Sequence, residues 1–237
     1  MAPSQATVER CNVALALFDL DNTLLGGDSD YLWGRFLVEQ GIVDREHYER
    51  ENRRYYDQYK AGQLDIEAFL AFSLQPLAEH PPERLHAWRE DFLVRMIDPI
   101  ILPDARALVE RHRAAGDTPV IITATNRFIT APIAARFDIR HLIATEAEMQ
   151  DGRYTGRSTD IPCFQSGKVQ RLERWLVEQQ DDLDGSWFYS DSHNDLPLLE
   201  RVTHPVAVDP DATLAHHAHT RGWPIMTLRH GWAGPAD

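Results

Sequence analysis

Four short strings in this chain carry side chains able to do chemistry. Asp19 and Asp21 stand two apart in DLDNTLL with Thr23 behind them, Thr123 closes the run VIIT, Lys168 sits in SGKVQRL, and Asp191 and Asp195 lie in SDSHNDLPLL. Carboxylates so placed can supply a nucleophile, a general acid or oxygen ligands for a hard metal ion, and a hydroxyl and an ammonium can hold an anion. Each string alone reads more readily as something plainer: the acids as solvated loop residues or helix caps, Thr123 as a hydroxyl capping the next helix, Lys168 as a surface residue near a helix start. The plain reading of Lys168 is uncomfortable, because a cation there opposes the helix dipole unless an anion is near.

The elements around the strings share one pattern. The apolar run ending at Phe18 breaks into Asp19 and Asp21, Pro119 to Ile122 ends at Thr123, and Ser186 to Tyr189 ends at Ser190 and Asp191. Helical spacing follows the second run (Phe128, Ile129, Ile133, Ala134, Phe137) and the third (Leu196, Leu198, Leu199), while Leu172, Trp175 and Leu176 place a helix behind Lys168. Repeated strand, polar loop and helix predicts a parallel sheet covered by helices, with ligands bound at the carboxyl ends of its strands. Between the first two strands, Asp28 to about Pro103 reads as four helices, with Asp28 or Ser29, Asp44 and Asp65 as N-caps, Gly41 and Gly62 as stops, and a last helix from Pro82 to Met96. Glu148 to Thr155 reads as a hairpin, and the chain from Pro205 as strand, helix from Asp211, and a last strand near Pro224 to Leu228.

Taken together, the aspartate pair, threonine, lysine and second acidic pair, in that order and in those contexts, resemble the four motifs of the haloacid dehalogenase superfamily. The resemblance covers nearly the whole chain, from Val13 to about Leu228, and the helical insertion is similar to that of the subclass containing phosphoserine and histidinol-phosphate phosphatases. It implies an α/β fold: a Rossmann-like parallel sheet flanked by helices, with an inserted small helical-bundle cap. Residues 1–25 and 104–237 are then the core and 26–103 the cap.

The resemblance also implies roles. Asp19 attacks phosphorus, Asp21 donates and then accepts a proton, and Thr123 and Lys168 hold the phosphoryl oxygens. A phosphate dianion repels a carboxylate, so a bridging cation is needed, and Mg²⁺ suits oxygen ligands. Its ligands are the Asp19 and Asp191 carboxylates and the Asp21 main-chain oxygen, with Asp195 holding a metal-bound water or ligating more loosely. The aspartate at 21 argues for phosphate esters, since halide release needs no proton. Ser190 replaces the glycine common in the last motif, and His193 reads as a loop residue. The same aspartyl phosphate could pass to an acceptor other than water, and a non-catalytic phospholigand-binding relative is the reading from another class.

Charge narrows the partners. With 24 Lys and Arg against 37 Asp and Glu, the formal net charge is −13, and no basic cluster suits a nucleic acid. The apolar run near the start is too short to span a bilayer and lacks a secretory leader, which predicts a cytoplasmic protein without a membrane partner. Cys11 and Cys163 make no disulfide framework, and His216, His217 and His219 read as a solvated helix face. From Asp28 to Asp98 there are 15 acids and 9 bases. This excess favours a small phosphate ester whose leaving group bears an amine without a carboxylate. The position of Asp28 resembles the one at which phosphoserine phosphatases place an acid against the substrate ammonium, which implies that Asp28, with Asp30, meets that amine, the alternative being an N-cap alone. Arg53 and Arg54 are the candidates for holding a substrate carboxylate. Histidinol phosphate comes first, then phosphoserine and phosphorylated amino alcohols. Oligomeric state is not legible.

Overall fold

The computed structural model describes residues 14–232 and Gly234; Cys11 lies outside them. Its centre is β1 (Leu15–Phe18), four residues all buried. Leu15 and Leu17 enter one apolar cluster with Val120, Ile122 and Phe188, while Ala16 and Phe18 enter the other with Ile121 and Tyr189. Both faces being covered is why the strand reads as an unbroken apolar run.

Seven strands form one sheet in the order β4-β3-β2-β1-β5-β6-β7. They are β2 (Thr118–Asn126), β3 (His141–Gln150), β4 (Arg153–Thr159), β5 (Trp187–Ser190), β6 (His204–Val208) and β7 (Ile225–Met226). All neighbours are parallel except β3 and β4. These two make the expected hairpin, with Asp151 and Gly152 both at positive φ (49 and 76) as its two-residue turn requires. The chain builds outward from β1 in one direction through β2 and β3, then returns to β5 on its other side. The crevice where ligands bind in such sheets therefore opens at the carboxyl ends of β1 and β5.

The insertion holds α1 (Ser29–Glu39), α2 (Arg45–Lys60), α3 (Ile66–Ser73), α4 (Gln75–Glu79) and α5 (Pro82–Phe92). Asp28, Asp44 and Asp65 cap α1, α2 and α3 through their side chains as expected, and Gly41 and Gly62 follow α1 and α2 at φ 66 and 68. Two expectations change. A fifth helix, α4, forms where Pro76 starts a new turn straight after α3, and the helix from Pro82 widens into a π turn over Leu93–Ile97. The insertion leaves and rejoins the sheet side by side: Leu25 bridges Ile101, and Gly26 N donates to Ile100 O at 2.7 Å. Gly26 is needed here for space, because a Cβ would lie 2.1 Å from the Trp232 ring.

The remaining helices are α6 (Pro103–Ala115), α7 (Arg127–Arg136), α8 (Ser166–Gln179), α9 (Leu196–Leu199) and α10 (Ala212–Arg221). No helix among the described residues is long and apolar enough to cross a membrane.

Candidate active site

β1 ends by delivering Asp19, whose N–H donates to Tyr189 O of β5 at 2.9 Å. Lys168 comes from the first turn of α8, and Gly167 before it allows the chain to turn there: a Cβ would lie 2.0 Å from Pro162 O. The Lys168 Nζ lies 2.7 Å from Asp19 Oδ1 and 2.8 Å from the Asp195 carboxylate. These are the anions that a cation at a helix start requires. All three are buried, at 4%, 3% and 3% exposure. Burial pushes the Asp19 carboxyl up to about 7 against the pull of Lys168, with Asp195 and Asp21 adding to the rise. Burial works the other way on Lys168, but the charges of Asp19 and Asp195 outweigh it and raise its pKa, so it stays an ammonium.

Asp21 is held from two sides, by Ser29 N at 2.6 Å and by Thr125 Oγ1 at 2.8 Å. Burial and the charge of Asp28 raise it to about 6, against both hydrogen bonds. A carboxyl that titrates near neutrality can both give and take a proton. Thr123 is buried at the point where β2 loses its regular register with β3. The strand, expected to stop at Ile122, runs on to Asn126 because Asn126 pairs again with Thr145 of β3 past the irregularity, within which Thr125 N donates to Thr123 Oγ1 at 3.2 Å. That leaves the Thr123 hydroxyl proton free to donate.

Asp191 follows β5, its Oδ1 accepting from Thr23 Oγ1 at 3.1 Å. Burial, then the charges of Asp19 and Asp195, hold it well above the usual carboxylate range. Asp195 faces Lys168 at 2.8 Å and accepts from Ser190 Oγ at 2.7 Å, so it clamps the lysine, a contact compatible with the looser metal role expected of it. Ser190, in the glycine place of the motif, thus has a task. Among the described residues no group of three His, Cys, Asp or Glu side chains is arranged as a ready metal cage. The donor set nevertheless suits a hard divalent ion that keeps several waters: two carboxylates, Asp19 and Asp191, the charge of the first raising the second.

Asp19, Asp21, Thr123, Lys168 and Asp195 form the floor of a cavity whose far wall is aromatic and acidic, while Asp191 lines an adjoining crevice that shares Tyr56 and Tyr59 with it. Asp28, Asp30, Tyr31, Tyr55, Tyr56, Tyr59, Phe69 and Phe164 line it, and Lys168 is the one cation among its described lining residues. Asp28 uses Oδ1 to cap α1, accepting from Tyr31 N at 2.9 Å, and burial raises its pKa. Burial, then the charges of Asp28 and Asp21, hold Asp30 well above the usual range.

Arg53 and Arg54 do not join this cavity. Arg53 lines a separate crevice between α1 and α2, and Arg54 pairs with Glu51 at 2.7 Å and covers the Tyr55 ring, because their side of α2 faces away from the floor. His193 does not reach it either; its Nδ1 and main-chain N each lie 2.7 Å from Asp211 Oδ2. Sequence reasoning missed Thr125, Ser29 and the tyrosines. A signal existed for the last: Asn52, Tyr55, Tyr56 and Tyr59 recur at helical spacing on an otherwise polar α2.

Comparison with known proteins shows the family and the fold. The model of the haloacid dehalogenase-like hydrolases matches residues 16–200. The chain belongs to that family. A histidinol-phosphatase of Neisseria meningitidis is 44% identical over 91% of this chain and 99% of its own length. A crystal structure of a Bordetella pertussis protein of unknown function is 46% identical, covers 91% of this chain and 98% of its own, and superposes with a TM-score of 0.86. Phosphoserine phosphatase bound to an analogue of its phospho-aspartyl intermediate shares the fold at TM-score 0.67 and 17% identity, over 91% of this chain and 93% of its own.

Proposed function

We propose that this hydrolase is a Mg²⁺-dependent phosphomonoesterase acting on a small amine-bearing ester, histidinol phosphate ahead of phosphoserine. One observation carries the choice: the cavity has a phosphate end, with Asp19, Thr123 and Lys168, and a leaving-group end with Asp28, Asp30 and aromatic rings but no described cation. A leaving group bearing an ammonium and no carboxylate is matched there. The carboxylate of phosphoserine meets acids, with Arg53 and Arg54 outside. The name of the Neisseria relative supports the same choice.

In this reading the Asp19 carboxylate attacks phosphorus, forming an aspartyl phosphate as the P–O bond to the leaving alcohol breaks. Asp21, protonated at first, gives its proton to the departing oxygen; as the carboxylate it then takes one from the water that hydrolyses the intermediate. Lys168 and the Thr123 hydroxyl hold phosphoryl oxygens as charge builds on them. Mg²⁺, held by Asp19, Asp191 and the Asp21 main chain, supplies charge neutralisation between nucleophile and phosphate when bound. Segment 26–103 acts as a cap that supplies the leaving-group wall.

Phosphate release from a panel of histidinol phosphate, phosphoserine, 2-aminoethyl phosphate and sugar phosphates, with Mg²⁺ and then with chelator, tests this. The expected result is metal-dependent release with the highest kcat/KM on histidinol phosphate. Preference for a sugar phosphate rejects it.

A further inference from the structure

Asp30 stands at the leaving-group end of the cavity, and neither the fold nor the phosphoryl transfer itself engages its carboxyl. Asp28 already caps α1. The Asp30 side chain makes no ion pair or hydrogen bond among the described residues, and its Oδ1 is closed to solvent without a partner. A buried acceptor left without a hydrogen bond is destabilising, so its retention in a cavity wall points to a partner that arrives with the ligand.

The surroundings define that partner. Tyr31 and Tyr56 stand with ring centroids 5.0 Å apart and Tyr55 and Phe69 5.4 Å apart, and all four line the same cavity as Asp30. The Tyr55 hydroxyl is spent on Ala68 O at 3.2 Å, so its ring offers the cavity a face and not a hydrogen bond. The neighbouring charges at Asp30 are Asp28 and Asp21, both negative. A flat ring with a polar N–H edge satisfies all of this: its faces lie against tyrosine and its edge meets the carboxyl.

We propose that Asp30 is the specificity residue that reads the imidazole edge of the leaving group, while Asp28 takes its ammonium. The inference rests on the phosphomonoesterase reading above. One proton lies between Asp30 and the ring in either form, as carboxylic acid to ring nitrogen or as ring N–H to carboxylate, so the contact survives whichever partner carries it.

Two measurements test it. In the first, kcat/KM for histidinol phosphate and for 2-aminoethyl phosphate is compared between the wild type and Asp30→Leu, whose side chain can neither give nor take a hydrogen bond. The ratio of the two should fall by at least about tenfold in the variant, since a site built to hydrogen-bond a group loses its preference when that bond is removed. A ratio within about twofold of the wild type, including equal losses on both esters, overturns the proposal. The second uses only the wild type and so does not depend on how the variant folds: histidinol phosphate against phenylalaninol phosphate, which keeps the amine and the ring but has no ring nitrogen. Discrimination of at least about tenfold is expected, and equal kcat/KM overturns the proposal. Wild-type turnover of other amine esters but not of histidinol phosphate rejects the substrate reading itself, and this inference with it. Turnover of histidinol phosphate without either discrimination rejects the role of Asp30 alone.

Discussion

At the scale of single residues, the site runs on carboxyls moved by burial. Asp21, pushed up to about 6, is placed to hand over a proton that an alkoxide leaving group needs and a nitrophenolate does not. Asp21→Asn should lower kcat on histidinol phosphate by about 10²–10⁴. On p-nitrophenyl phosphate the first step should suffer less, so the variant should gain the mass of one phosphoryl group on Asp19 in intact-protein spectra. Equal, small losses on both esters would count against the acid–base role. Lys168 is structural as well as chemical, because Asp19 and Asp195 are buried against it. Lys168→Met leaves both without a counter-charge; urea unfolding in chelator should show a loss of about 3–5 kcal/mol along with loss of turnover.

At the scale of elements, the site depends on how helices are tied to the sheet. Asn194, between Asp191 and α9, gives Nδ2 to Tyr59 O at the end of α2 (3.1 Å) and accepts at Oδ1 from Gln165 Nε2 just before α8 (2.9 Å). One side chain thus links the wall over the cavity to the helix bearing Lys168. On the outer side of α8, Asp160 meets Arg174 at 2.6 Å and Arg171 at 3.5 Å. The Arg174 hydrogen bond and the Ile161 N–H hold the Asp160 carboxyl below its ordinary 3.8. A lowered folded-state pKa means stability present above that ordinary value and lost as pH falls through the folded one. Asp160→Asn, which tolerates the left-handed φ of 63 at this position, should therefore be less stable than wild type at pH 7. The pair is partly solvated, so the difference should stay below about 1 kcal/mol. It should shrink as pH falls below that ordinary value, as read by urea unfolding at each pH; a difference that does not shrink in acid would assign it to packing instead.

At the scale of the whole molecule, the insertion and the sheet share one apolar cluster. It runs from Ala16, Phe18 and Ile121 through Leu20, Leu24 and Leu25 to Trp33, Phe36, Leu74 and Phe92. Phe128 at the start of α7 extends the joint: Trp33 packs edge-on at 5.8 Å, and Arg89 lies over its ring at 4.7 Å and donates to its carbonyl. Calorimetry should accordingly show a single unfolding transition, with Trp33→Ala costing about 3–5 kcal/mol and lowering that one Tm. Two resolved transitions would mean that cap and core fold separately. The four chemical strings, the parallel sheet, the hairpin and the caps at Asp28, Asp44 and Asp65 were legible in the chain, because strand runs, turn residues and caps are local patterns. Three features could not be read locally: which helix face looks into the cavity, what Asp195 clamps, and that Arg53 and Arg54 turn away. These depend on contacts between residues far apart in the chain, such as Thr125 on Asp21 and Lys168 on Asp19, which exist only once the sheet is assembled. Sequence by itself determined which groups we propose for the chemistry, since the reaction demands those residue types at strand ends. Tertiary structure alone decided which charges and rings share the pocket, because burial together depends on how distant segments of the chain pack.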